Sequence, residues 1–280
     1  MLSYRHAFHA GNHADILKHY TFSLVLDYLN QKDKPYCVID THAGAGMYAL
    51  NAEFSQKNKE FDTGISHLLS ANNQPDSVQE FTKMVKSFNS ASQVGLYPGS
   101  PKIAEHYLRK NDQLRLFELH PNDYKILVEN FSENSKQTKA VMGDGFSGIK
   151  AVLPPTTKRG VTIIDPPYED KQDYQRVVSS IRESLKRFST GTYIIWYPLL
   201  ARPEPIEMVS ALRLQATNWL NVTLSVSSIP KEGFGMFGSG LFIINPPWTL
   251  PSTLKESLPY LVALLGQDES ASYQLEYEIS

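Results

Sequence analysis

Apolar residues recur at helical spacing between positions 14 and 29, where Leu17, Tyr20, Leu24 and Tyr28 share one face. Asn12, with Asp15 three positions later, reads as the start of that helix. After Pro35 the pattern changes. YCVID (36–40) is a continuous apolar run of strand length, which predicts a buried strand, and THAGAG (41–46) follows as a glycine-bearing turn expected to open a helix. Further strand-like runs are LRLFEL (114–119), KAVMGD (139–144), VTIID (161–165), TYIIWYP (192–198), VTLSVSSI (222–229) and GLFIIN (240–245). Amphipathic patterns separate the earlier ones, with Tyr124, Leu127, Val128 and Phe131 on one helix and Tyr174, Val177, Ile181 and Leu185 on another. This alternation predicts an α/β fold with an open, mostly parallel, doubly wound sheet. The last two strands are joined by KEGFGMFGSG, too short for a helical crossover, so they are expected to form an antiparallel hairpin at one edge.

One spacing departs from a simple doubly wound pattern. The acidic residue that grips a ribose normally ends the next strand, roughly 20 residues after the glycine loop. Here the next good strand ends at Glu118, 72 positions after Gly46, so about 50 residues are in excess. The best helix in that stretch is 76–89, with Val78, Phe81, Val85 and Phe88 on one face, and no strand pattern appears between 52 and 95. The expected organisation is a Rossmann-like domain made of residues 1–51 and 96–280, with a helical subdomain inserted at 52–95. A chain of 280 residues suits one such domain plus an insertion.

With 27 Lys and Arg against 29 Asp and Glu, the net charge is −2, so no global field attracts nucleic acid and any such contact must come from local patches. The single cysteine, Cys37, excludes a disulfide within the chain and a cysteine-based zinc cluster, and it fits a reducing compartment. The N-terminus, MLSYRHAFHAGNHAD, has no apolar leader, and the longest apolar runs are strand-sized, so a cytoplasmic protein without a membrane span is expected.

Chemistry concentrates at the predicted strand ends. Gly44-Ala-Gly-Met-Tyr-Ala49 formally matches the dinucleotide-binding pattern G-x-G-x-x-A, yet an NAD site also needs an acidic strand end near position 62, and QKNKEFDTG is no strand. A plain strand-to-helix turn is the alternative. Asp165-Pro166-Pro167-Tyr168 follows VTIID directly and so lies at the carboxyl edge of the sheet, where such folds bind ligands. An exocyclic amine such as adenine N6 is a poor nucleophile because its lone pair is delocalised into the ring. A carboxylate from Asp165 and the carbonyl of Pro166 can accept its two N–H groups, while the prolines stiffen the loop. Tyr168 is expected to stack on a base rotated out of its helix; a proline turn after a capping Asp is the plainer reading.

Asn245-Pro246-Pro247-Trp248 fits a relaxed form of the same pattern. It follows the antiparallel edge strand, however, so Asp165 is preferred and Asn245 is read as a structural turn or a rim contact. Glu118 could take both hydroxyls of a ribose, and Asp144-Gly145 could bind an adenine edge; either acid could instead cap the helix that follows. His6, His9, His13 and His19 cluster near the N-terminus with Arg5 and Lys18. They form a metal site, a solvated basic terminus, or a lip where Lys18 meets a cofactor carboxylate and Tyr4, Arg5 and His6 touch phosphate or base. No metal is assigned.

The order MLSYRHAFHAGNHADILKH, DTHAGAG (40–46), YPGSP (97–101), ELHP (118–121), DGF (144–146), DPPYE (165–169), WYP (196–198) and SGLFIINPPW (239–248) resembles the bacterial 23S ribosomal RNA adenine-N6 methyltransferase J family, over nearly the whole chain. The resemblance implies a Rossmann-like methyltransferase that uses S-adenosyl-L-methionine. It places Lys18, His19, His42, Gly44, Ser100, Glu118, Asp144, Gly145 and Asp165 at the cofactor, Asp165, Pro166 and Tyr168 at the chemistry, and Tyr4, His6 and Tyr168 on the substrate side. Two positions depart from the pattern: Met47 stands where relatives often carry Arg, and KEGFG (231–235) replaces a more basic run. The expected partner is 23S rRNA, free of protein or early in assembly, met by a monomer. A DNA adenine methyltransferase and a cofactor-binding adaptor without turnover are the competing readings. Seven Lys and Arg lie within 158–187, so few phosphate contacts and a shallow salt dependence are expected.

Overall fold

The computed structural model describes residues 8–52, 59–89, 95–131, 136–230 and 235–279. Its centre is an eight-stranded sheet in the order β10-β8-β9-β7-β6-β1-β4-β5. The parallel part comprises β1 (Cys37–Asp40), β4 (Gln113–Glu118), β5 (Thr138–Met142), β6 (Gly160–Ile164) and β7 (Thr192–Leu200). β8 (Trp219–Ser225) and β9 (Met236–Ile244) pair antiparallel, as their short link requires, and β9 also pairs antiparallel with β7. β10 (Ser272–Glu278) extends the edge beyond β8. It is not evident from periodicity because SYQLEYE is mostly exposed and has no wholly apolar face.

The apolar strand runs divide their side chains between two layers, as the period-two alternation of a strand demands. Val38, Ile163, Ile194 and Ile243 join one core with Leu17, Leu26, Ile103 and Leu254. Ile39, Ile164, Ile195 and Ile244 face the other core, with Ile149, Val177, Ile181 and Leu212. The first layer holds α1 (His13–Asn30), which packs against β9, and α9 (Leu250–Leu265). The second holds α6 (Gly145–Val152), α7 (Gln172–Arg187) and α8 (Glu204–Arg213). α1 is covered on most sides, so Leu17 and Tyr20 are buried but Leu24 and Tyr28 only partly so.

The glycine turn does not open a helix. Met47–Ala49 forms a short strand, β2, paired antiparallel with β3 (Leu96–Pro98), and helix α4 begins only at Ser100 (Ser100–Tyr107). The Gly99 N–H donates to the Gly46 carbonyl at 2.9 Å, so the chain leaves the loop and returns to nearly the same point. The excess residues therefore enter between the glycine loop and its helix. A three-residue strand is too short to carry a periodic signal, which is why the sequence suggests a helix there. Between β2 and β3 the chain makes a π-helical turn (Asp62–Ser66), α2 (His67–Ser70) and α3 (Asp76–Ser87). Val78, Phe81 and Val85 of α3 are buried, with the Phe81 ring edge-on to Tyr20 at 5.9 Å.

Candidate active site

Four acids sit at the carboxyl ends of four adjacent parallel strands. Asp40 ends β1, Glu118 ends β4, Asp144 follows β5 and Asp165 follows β6. The chain reverses direction across the sheet between β1 and β6, which is where open α/β sheets leave a crevice. A cleft of about 830 Å³ opens there. Lys18, His19, His42, Gly44, Ser100, Glu118, Asp144, Gly145, Asp165 and Pro166 all line it. Tyr4, Arg5 and His6 lie outside the described residues.

Local chemistry explains how each group is held. Gly44 adopts φ +59°, and its N–H donates to Glu118 at 2.7 Å while the His120 N–H donates to the other carboxylate oxygen at 2.6 Å. Burial raises the Glu118 pKa, opposed by those two N–H groups. Each oxygen retains a lone pair for a diol. Asp144 caps α6, accepting from the Phe146 and Ser147 N–H groups at 3.2 Å each, so it is a helix cap that also borders the cleft. Gly145 lies against β1: a Cβ there would stand 1.9 Å from the Thr41 carbonyl oxygen. Gly145→Ala is expected to lose about 2–4 kcal/mol of stability, read from its urea midpoint.

His42 donates from its backbone N–H to Asp40 at 3.1 Å, and its ring lies edge-on to Phe146 at 5.0 Å. Burial pushes its pKa down to about 4, so the imidazole is neutral at pH 7. His19 is buried, with Nδ1 2.8 Å from the Tyr97 hydroxyl. Ser100 donates its hydroxyl to Asp40 at 2.6 Å. Asp40 is fully buried, and burial is the main cause that pushes its pKa up to about 7. The folded protein therefore holds this proton more tightly than the unfolded chain. The resulting stability is complete below about pH 4 and is lost as pH rises through about 7. Asp40→Asn, which can keep both hydrogen bonds, should flatten that decline when unfolding is followed across this range.

Lys18 lines the cleft and is also engaged by two carboxylates. Its ammonium lies 2.9 Å from Asp15 and 2.5 Å from Asp165, with the side chain 5% exposed. It thus orients the Asp165 carboxylate. The loop after Asp165 is stiff, because Tyr168 sits at φ +53° while its hydroxyl donates to the Trp196 carbonyl at 2.7 Å. Tyr168 corrects the expectation of a displayed stacking face. Its ring is 3% exposed and lies 4.4 Å from the ring of Tyr174. Packing against Tyr174 of α7 covers much of the ring, and what remains borders a second cavity.

A second cavity, of about 240 Å³, adjoins the cleft and shares Lys18, Asp165 and Pro167 with it. Tyr168, Trp196, Pro198 and Met236 give it a mainly apolar lining. Asp165 stands on the wall between the two. Asn245 is remote from both: Ile244 pairs with Tyr193 near the start of β7, at the opposite edge of the sheet from Asp165. Its amide donates to the Ser189 and Gly191 carbonyls at 2.8 Å each, which makes it a structural turn. Asp40 and Trp196 fall inside the motifs DTHAGAG and WYP but gain no site role from the sequence, and Asp15 gains none beyond the helix start. Asp40 carried the same acidic-strand-end signal as Glu118. Among the described residues, no group of three or more His, Cys, Asp or Glu could hold a metal ion, and no helix is long and apolar enough to cross a membrane.

A family model described as "RsmJ: Ribosomal RNA large subunit methyltransferase D, RlmJ" matches residues 33–279. The chain belongs to this family. It is 44% identical over 262 residues to the ribosomal RNA large subunit methyltransferase J of Escherichia coli K12, covering 93% of each chain. Against the methyltransferase J of Haemophilus influenzae the identity is 43% over 279 residues, covering 99% of each. The crystal structure of a Legionella pneumophila protein, 36% identical, superposes with a TM-score of 0.89 over 96% of this chain and 98% of that one. Membership of the methyltransferase J family excludes the dinucleotide reading of the glycine loop, and it agrees with the four acids ranged along the cleft.

Proposed function

We propose that the protein transfers a methyl group from S-adenosyl-L-methionine to the exocyclic N6 amine of an adenine in 23S rRNA. The observation that carries this reading is the position of Asp165 between a cofactor-sized cleft and a smaller apolar cavity of about 240 Å³. The residues present suit the cofactor. Glu118 offers two fixed oxygens to a ribose diol, Gly145 leaves open the floor beside Thr41, and neutral His42 and Phe146 add two ring surfaces to the cleft wall. When bound, the cofactor supplies an electrophilic methyl group on a sulfonium. The smaller cavity takes the target base, extruded from its helix or already unpaired.

Asp165 and the Pro166 carbonyl accept the two N–H groups of the amine, which localises the nitrogen lone pair and aims it at the cleft. Lys18 holds the Asp165 carboxylate in place from the side. Once nitrogen carries the methyl group it must lose one proton, and Asp165 is the group placed to pass it to water. Tyr168 borders the base cavity and also fixes the turn through its bond to the Trp196 carbonyl. The substrate in this reading is 23S rRNA free of protein or early in assembly, met by a monomer. Mapping N6-methyladenosine in 23S rRNA from cells with and without the gene tests the reading: one adenine should lose its methyl group on deletion. An unchanged 23S map, or a loss confined to DNA, would contradict it.

A further inference from the structure

We infer that the segment between β2 and β3 serves the site directly, with Glu60 as a positioning residue that holds His9 and Asn12 as one wall of the substrate cavity. The inference rests on the reading that the smaller cavity receives the target nucleotide. Glu60 reaches across 51 and 48 residues of sequence, bonding His9 Nδ1 through one carboxylate oxygen and the Asn12 amide through the other, at 2.9 Å each. Both His9 and Asn12 line that cavity, on the side shared with Asp15, Lys18 and Asp165.

The backbone between them is clamped by the same segment. Gly11 sits at φ +78°, and its carbonyl accepts from the Ile65 N–H at 2.8 Å. A Cβ on Gly64 would lie 2.1 Å from that carbonyl oxygen, and a Cβ on Gly11 would lie 2.7 Å from Ile65. Two glycines thus let the π-helical turn press directly onto the strand of chain that enters α1. The Gly11 N–H in turn donates to Asp15 at 2.9 Å, and Asn12 accepts from the Asp15 N–H at 3.0 Å. Asp15 meets Lys18, and Lys18 meets Asp165. A continuous run of polar contacts therefore joins Glu60 to the catalytic carboxylate.

The segment does not need Glu60 for its own anchorage. Ile65, Leu68, Val78, Phe81 and Val85 bury it in the core shared with α1 and α9. Glu60 itself is one-third exposed, with a side-chain relative exposure of 33%. The bonds to His9 and Asn12 act on the cavity wall, so their loss should be felt by the substrate more than by the fold.

Steady-state methylation of protein-free 23S rRNA by the full-length protein tests this. Glu60→Ala should raise the KM for RNA about 10-fold, with kcat changed less than about 3-fold and cofactor affinity by calorimetry within about 2-fold. Glu60→Gln, which can accept from Asn12 and donate to a neutral His9, should return KM to within about 3-fold of the parent. In an Asn12→Ala background the Glu60→Ala change should add less than about 2-fold, because both act on one wall. An unchanged KM in Glu60→Ala overturns the assignment. So does a rise in KM matched by equal losses of thermal stability and cofactor affinity that Glu60→Gln does not repair. Failure of the underlying function looks different: the parent protein itself would place no methyl group on adenine N6.

Discussion

Asp165→Asn should lower the methyl-transfer rate about 1,000-fold while leaving cofactor affinity nearly unchanged. The substitution keeps the size and the loop, but the amide offers one acceptor instead of two. It also cannot take up the proton that the methylated amine must lose. Asp165 touches the cleft and the smaller cavity together, so a residue merely lining the cofactor site would show the opposite pattern, with weakened binding and a preserved rate at saturation. Single-turnover measurements at saturating cofactor, paired with calorimetry, separate the two. A variant that binds normally and still turns over at the parental rate would remove Asp165 from the chemistry.

Lys18→Met should affect both stability and catalysis. The ammonium is nearly sealed from water between Asp15 and Asp165, and removing one partner of a buried charge group leaves the others uncompensated. A loss of about 3 kcal/mol is expected in urea unfolding, together with about a 100-fold fall in kcat as the Asp165 carboxylate loses its orientation. Lys18→Arg should recover part of the stability, since the charge is kept, but less of the rate, because a planar guanidinium cannot occupy the same point between the two acids. A midpoint unchanged from the parent in Lys18→Met would show that this ion pair contributes little to the fold.

The parallel sheet and its site were largely legible because they depend on strong local signals. Strands such as VTIID are mostly apolar, and each relevant acid stands at or just after the end of such a run, where the topology exposes it. Order along the chain also separated Asp165 from Asn245, and the antiparallel path of β9 supplies the physical reason. What escaped was set by distant contacts. The bond from Lys18 to Asp165 spans 147 residues, so spacing near the N-terminus could not show it. Tyr168 was read from its neighbours as a stacking face, but Tyr174 and the Trp196 carbonyl fix it in the interior.

The excess length between the glycine loop and Glu118 was visible as arithmetic, yet the short strands that flank it were not. Met47-Tyr48-Ala49 becomes a strand only because Leu96–Pro98 returns beside it, and no window of sequence contains both. Met47 itself pairs with Pro98 in that small sheet. The KEGFG departure falls almost entirely outside the described residues.

One experiment reads directly whether Asp165 directs a methyl group to adenine N6 of 23S rRNA. Protein-free 23S rRNA is incubated with S-adenosyl-L-methionine carrying a labelled methyl group, using the parent protein and Asp165→Asn, and is then digested to nucleosides. Label should appear in N6-methyladenosine with the parent and be almost absent with Asp165→Asn. Label in any other nucleoside, or equal labelling by the two proteins, would contradict it.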